Sequence, residues 1–349
     1  MWISVFLLAA ALSLGGAQAD TAVAAYEVKI RASPYDATLY AELASLLIAN
    51  RAPAEALAWI QKGLAAVPSD AGLRLRHGIA LHALAKPEES LKVLEALPAS
   101  GESRLYVGLD YRALGNHAAA QKHLSAAWDL GLRDPYALYS LIEEDHALAD
   151  KTAGLQHFKL FLAHFPGSPW LHVLYANAYL QKGNDVEARR EYQEALRMKP
   201  DLPAVNFRLG LLLYKDGEYV PAAECFRKEL ALSPSYADAN LFLGQTLRNL
   251  GQQEEAIPYL KRTIELDSRS ELGYRALVAT LGEKGDLNGA VEILRMAENE
   301  FPANASFPAQ RASLLTRLNR GAEALKEQEK FRALRQAGRN QKKAVEKTP

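Results

Sequence analysis

The sequence predicts an all-α solenoid: one helix–turn–helix unit, repeated and stacked along most of the chain. Three residue series predict it. Ala188, Ala222, Ala256, Ala290 and Ala324 follow one another at a constant step of 34; Gly183, Gly217, Gly251 and Gly285 keep the same step, and so do Pro166, Pro200 and Pro234. Three residue types with different conformational roles share one period. Upstream, Gly115 and Ala120 stand two periods before Gly183 and Ala188. Ala56 precedes Ala120 by slightly less, one full unit and one shortened unit.

Taken in order, the chain opens with a segment unlike the rest. Trp2 to Ala19 carries no charged side chain, Val5 to Leu12 is an apolar run, and Ala17-Gln18-Ala19 has small residues at the spacing of an export cleavage site. The run is too short for a membrane-spanning helix. Residues 1–19 therefore read as a cleaved signal peptide, with an uncleaved N-terminal membrane anchor as the alternative. Export predicts a periplasmic or secreted protein whose mature chain begins at Asp20.

Residues 20–36 place Ala22, Tyr26 and Pro34 in the slots of a second helix and read as a capping helix, since a terminal repeat must hide one exposed face. Nine units follow: 37–70, 71–100, 101–134, 135–168, 169–202, 203–236, 237–270, 271–304 and 305–338. Unit 71–100 is short because "LEALPAS" stands where a longer second helix would run. The final unit is polar where others are apolar, with Gln328 in a Leu, Phe or Tyr slot, and serves as the other cap. Residues 339–349, "RNQKKAVEKTP", read as a disordered basic tail.

Within unit 237–270, Leu243, Leu247 and Leu250 recur at the spacing of an amphipathic stripe, and Ile257, Leu260 and Ile264 form the stripe of the second helix. Gly251 stands just past the first helix, where a left-handed backbone costs glycine nothing. Pro200, Pro234 and Pro302 stand where second helices stop. Gly244 is different: it sits mid-helix, where glycine costs roughly 1 kcal/mol against alanine. Gly78, Gly108 and Gly210 fill the same slot, and Ala44, Ala176 and Ala312 fill it elsewhere. Paired with the recurring alanine of the second helix, Ala256 here, a small residue lets the two helices approach closely.

Such a unit resembles the tetratricopeptide repeat. Leu243-Gly244, Leu247, Gly251, Ala256 and Leu260 match its pattern in one unit, and Leu209-Gly210, Leu213, Gly217, Ala222, Phe226 and Pro234 in another. The resemblance covers about residues 37 to 338. It implies a right-handed superhelix whose concave wall comes from the first helices. Slot by slot, it places Tyr136, Tyr139, Glu143, His146, Trp170, Val173, Asn177, Phe207, Leu211 and Tyr214 on that wall. Glu102 and Arg112 flank them on one side, with Asp238, Gln245, Arg248 and Arg275 on the other. Aromatic anchors with a polar rim suit a protein or peptide partner. A glycan stacked on the rings, as in members serving polysaccharide export, is the second ligand class.

Other chemistry finds little support. The 41 basic and 41 acidic side chains cancel, whereas nucleic-acid binders show a basic excess. The eight histidines form no HExxH pair, there is no glycine-rich phosphate loop, and a single cysteine makes neither a disulfide nor a structural zinc site. No catalytic residue, metal or small-molecule cofactor is expected. The chain reads as a non-catalytic interaction scaffold of a bacterial cell envelope, or as an accessory protein of polysaccharide export that binds glycan or a partner enzyme. His77 and Cys225 read as core residues. Unit 135–168 departs most: Asp145 takes a core slot, Ile142 the small slot, Gly154 the alanine slot and Ala149 the turn-glycine slot. Either Gly154 makes room for Ile142 while Asp145 caps a neighbouring helix, or the unit is a weak point where the stack bends or a partner enters.

Overall fold

The computed structural model describes the backbone of residues 16–345 and the side chains of residues 20–340. The apolar run Val5 to Leu12 and the side chains of Ala17-Gln18-Ala19 lie outside the described residues. Nineteen helices and no strand are found among the described residues. The chain divides into two compact halves, residues 1–174 and 175–349.

The first half holds α1 (Gly16–Ala32), α2 (Ala37–Ala49), α3 (Pro53–Ala66), α4 (Ala71–Ala83), α5 (Pro87–Leu94), α6 (Gly101–Ala113), α7 (His117–Asp129), α8 (Pro135–Ala147), α9 (Lys151–His164) and the start of α10 (Pro169–Gln181). The second holds the rest of α10, then α11 (Asp185–Met198), α12 (Val205–Lys215), α13 (Tyr219–Leu232), α14 (Ala237–Asn249), α15 (Gln253–Leu266), α16 (Glu271–Lys284), α17 (Leu287–Glu300), α18 (Ser306–Arg317) and α19 (Gly321–Val345). Helices pair in chain order, and first helices also meet the first helix of the next repeat, as α2 does α4, α4 does α6, and α14 does α16. That is the stacking of an α-solenoid.

Five of the first helices start where an N-cap side chain satisfies a free N–H group. Asp36, Asp70, Ser100, Asp134 and Ser270 each accept from a backbone N–H of the first turn. A cap of this kind contributes about 1 kcal/mol. α12 has no such cap. Its Ala204 adopts φ 61°, and the buried Glu229 of α13 reaches across to accept from Ala204 N at 2.9 Å and Phe207 N at 3.3 Å. At the N-terminus, Ala22, Val23 and Tyr26 of α1 pack on a core of Tyr40, Leu43, Leu47 and Ile60.

The mid-helix glycines are set by the large residue of the second helix more than by its alanine. A Cβ added at Gly244 would lie 2.5 Å from Leu260 Cγ, against 3.4 Å from the Ala256 carbonyl oxygen. At Gly210 the obstacle is the Phe226 ring at 2.6 Å, and at Gly108 it is Leu124 at 2.7 Å. In unit 71–100 a serine replaces the alanine: Ser90 is fully buried and donates to the Gly78 carbonyl at 2.9 Å.

Every turn within a helix pair bends through a left-handed residue at one slot. Glycine fills it at 115, 183, 217, 251 and 285, but Arg51, Ala85, Ala149 and Asn319 adopt φ of 62°, 57°, 56° and 57° in the same place. A side chain there costs about 1–2 kcal/mol, of which glycine's extra unfolded freedom takes back about 0.4–1 kcal/mol. Ala149→Gly is therefore expected to stabilise the first half by about 0.5 kcal/mol. Urea unfolding should show a higher midpoint at unchanged slope; a lower midpoint would refute the strain.

Two expectations change at this level. The tail is helical rather than disordered from 339 to Val345, because α19 continues through it. Ala, Gln and Lys are good helix formers, and elongating an existing helix avoids the cost of nucleation. His77 is half-buried rather than a core residue. Cys225 is buried, and burial pushes its thiol pKa up, which disfavours the reactive thiolate.

Candidate partner-binding surface

In the first half, the expected wall residues lie on α8 and the start of α10. Asp134 caps α8 by accepting from Ala137 N at 2.8 Å, and Pro135 fixes its first turn. One face of α8 then carries Tyr136 and Tyr139, and the N-terminus of α10 brings Trp170 onto them. Tyr139 and Trp170 stack with centroids 4.4 Å apart, and Tyr136 sits 4.9 Å from the indole. Tyr139 and Trp170 are each only 5% exposed, while Tyr136 is half-buried. Further along α8, Glu143 is half-buried and His146 exposed.

In the second half, Phe207 of α12 is 8% exposed, held among Tyr236 at 4.8 Å, Phe226 at 5.8 Å and Phe242 at 5.8 Å. Burial pushes the Tyr236 phenol up to about 12. Tyr214 is half-buried, edge-on to Tyr219 and Phe242, and its hydroxyl accepts from Asn249 Nδ2 at 3.3 Å. Asn177 Oδ1 accepts from the Tyr192 hydroxyl at 2.5 Å and Arg208 Nη1 at 3.0 Å. Arg248 is half-buried and 3.8 Å from Glu283.

Tyr139, Trp170 and Phe207 are thus packing residues rather than surface anchors. Each ring buries its face on a ring of the next first helix or of a second helix, which removes more apolar area from water than projection into a groove would. What the first helices present is the row one to two turns further on: Glu143 and His146 in one half, Leu211, Tyr214, Gln245 and Arg248 in the other. The flank also changes. Arg112 binds Glu144 through Nε and donates from Nη2 to the Ser140 carbonyl at 2.7 Å, so its charge is already used. Glu102 is paired with Arg76 at 2.5 Å, and Arg275 with Glu271 at 2.6 Å.

Beneath this row the first half contains a buried polar layer that the pattern of aromatics does not announce. Asp110 and Asp145 are fully buried, and Glu144 is 2% exposed. His82 Nδ1 donates to Asp110 at 2.7 Å, and His117 Nδ1 to Glu144 at 2.8 Å. Asp145 accepts from Gln121 Nε2 at 2.8 Å and His157 Nδ1 at 2.6 Å. Asp145 therefore answers side chains and caps no helix, and a Cβ at Gly154 would meet Asp145 Cβ at 3.5 Å rather than Ile142. Asp110 and Glu144 occupy one slot of successive units, where Leu46, Leu212 and Leu314 stand elsewhere; that was the available signal. Each is met by a side chain near the end of the preceding first helix, His82 or Arg112. The layer joins one repeat to the next. Among the described residues, no three His, Cys, Asp or Glu side chains are placed to hold a metal ion.

Family models described as TPR repeat and tetratricopeptide repeat match residues 176–217 and 207–271. Among known proteins, the chain is similar to anaphase-promoting complex subunit 6 of Arabidopsis thaliana, 24% identical over 196 residues, which is 55% of this chain and 36% of that one. It is also similar to tetratricopeptide repeat protein 7A of Homo sapiens, 33% identical over 100 residues, 28% of this chain and 12% of that one. The chain thus spans well under half the length of either relative. Among solved structures, the APC/C hetero-tetramer Cut9–Hcn1 aligns with TM-score 0.51 and 17% identity, over 78% of this chain and 55% of that one. That likeness concerns the fold alone.

Proposed function

The chain belongs to the tetratricopeptide-repeat family, and from that premise we propose that it is a non-catalytic scaffold binding a protein segment along the first-helix face of its repeats. The fold is of a kind typical of protein–protein interaction. The observation that carries the finer reading is the half-exposed row on the first helices, set over rings that are already packed. Glu143 and His146 on α8, and Tyr214, Gln245 and Arg248 on α12 and α14, offer charge, hydrogen bonds and one amphipathic ring on rigid helices. A peptide can use all three. The polysaccharide reading is weaker, because Tyr139 and Trp170 offer each other the ring faces that a sugar would need. The neutral charge balance speaks against a nucleic-acid partner. The apolar run Val5 to Leu12 followed by Ala17-Gln18-Ala19 supports export to a bacterial cell envelope.

One purification tests both parts. Native protein should be found in the envelope fraction with Asp20 at its N-terminus. Protein captured with it should fall about tenfold in the variants His146→Ala, Tyr214→Ala and Arg248→Ala, as expected of rim and anchor truncations of about 1–2 kcal/mol. Their melting should stay near wild type. Capture unchanged in all three variants would defeat the surface assignment, and a cytosolic chain still starting at Met1 would defeat the export assignment.

A further inference from the structure

The second helix of unit 71–100 is a turn and a half too short. α5 has 8 residues, whereas α3, α7, α9, α13, α15 and α17 have 13 or 14. The missing turns leave a cavity of about 380 Å³ against α4 and the end of α3. Its apolar wall is Leu64, Val93 and Leu97, and its polar groups are Arg74, His77 and Lys92. No Asp or Glu is among its lining residues.

His77 shows what has been uncovered. Its slot holds the buried Leu43, Val107, Leu141, Leu209, Leu243 and Leu277 in six other repeats, and the exposed Tyr175 and the half-buried Arg311 in the remaining two. Here the slot opens onto the cavity, and an imidazole replaces the apolar side chain. Arg74 spends Nε and Nη2 on the Pro68 carbonyl, at 3.2 and 2.9 Å, with no carboxylate partner among the described residues. Lys92 makes no ion pair among the described residues. Two exposed cations and a titratable ring thus line one apolar cavity, with Glu89 the carboxylate whose charge reaches the ring, and such a cavity is of a size that takes small ligands.

We infer that this cavity is a binding site for a small amphipathic anion, a carboxylate on a short aliphatic body. The apolar wall takes the chain; Lys92, Arg74 Nη1 and His77 take the carboxylate. This site is separate from the first-helix face and stands whether or not a protein binds there. Burial holds the His77 pKa below its ordinary value, with Glu89 of α5 opposing the shift. Facing the ring are Glu89 and Lys92 from α5 and Arg74 from its own helix; the α3 residue Leu64 and the following Pro68 carry no charge. A bound anion favours the imidazolium, so the His77 pKa rises on binding, and affinity falls as pH climbs through that raised value.

The test is calorimetric titration of the full chain with sodium octanoate below its micelle concentration, with acetate and octylammonium as controls, while NMR follows the His77 imidazole. Octanoate should bind at least about tenfold tighter than either control, because only it satisfies both the wall and the charges. The His77 pKa should rise. Lys92→Gln should weaken octanoate about fivefold, and the exposed Ala96, replaced as Ala96→Trp, should fill the cavity and remove binding without touching the core. Octanoate no tighter than octylammonium, affinity unchanged in Ala96→Trp, or a His77 pKa that does not move would each overturn the assignment.

Discussion

Arg112→Ala is expected to destabilise the first half by about 3 kcal/mol, the lower end of the cost of stranding one partner of a buried ion pair. Glu144 is 2% exposed and relies on Arg112 Nε and His117 Nδ1. His117 remains in the variant, which keeps the loss from being larger. The same side chain also ties α6 to α8 through the Ser140 carbonyl. Hydrogen exchange should therefore show lost protection across α6 and α8, and the melting transition of that half should fall. The double variant Arg112→Leu/Glu144→Leu should recover most of the stability, since Leu46, Leu212 and Leu314 fill the carboxylate's slot in other repeats. A single variant as stable as wild type would mean that Glu144 is hydrated and that the layer is not dry.

Gly244→Leu is expected to cost a comparable amount, about 3 kcal/mol, at the upper end of typical overpacking. The first added atom would already lie 2.5 Å from Leu260 Cγ. Gly244→Ala sharpens the comparison: in an open helix it would gain roughly 1 kcal/mol of propensity, so a loss there isolates the clash. Adding Leu260→Ala should relieve the alanine variant relative to its own background. At Gly251 nothing lies within 4 Å of an added Cβ, and φ is 76°. Gly251→Val should thus destabilise through backbone strain alone, with no rescue by any change in α15. Denaturant melts of these variants decide the matter; rescue of Gly251→Val by Leu260→Ala would show that the register is wrong.

The repeat period, the helix pairs, the turn slot and the small-residue slot were legible in the sequence alone, but not that Leu260 rather than Ala256 is what Gly244 makes room for. They are local or periodic properties. A helix stripe shows itself within a turn or two, and a repeated slot announces itself by recurrence. What tertiary structure decided lies between repeats, in long-range contacts such as Gln121 to Asp145 and Arg112 to Glu144. There a first-helix residue is wall or core according to its neighbours: Tyr139 is closed by Trp170 and Phe207 by Tyr236, while His77, in a different slot, opens onto a cavity beside the short α5. Packing also overrode local preference. Arg51, Ala85, Ala149 and Asn319 take the left-handed turn without glycine, because helices docked on both sides supply more free energy than the strain of about 1–2 kcal/mol removes.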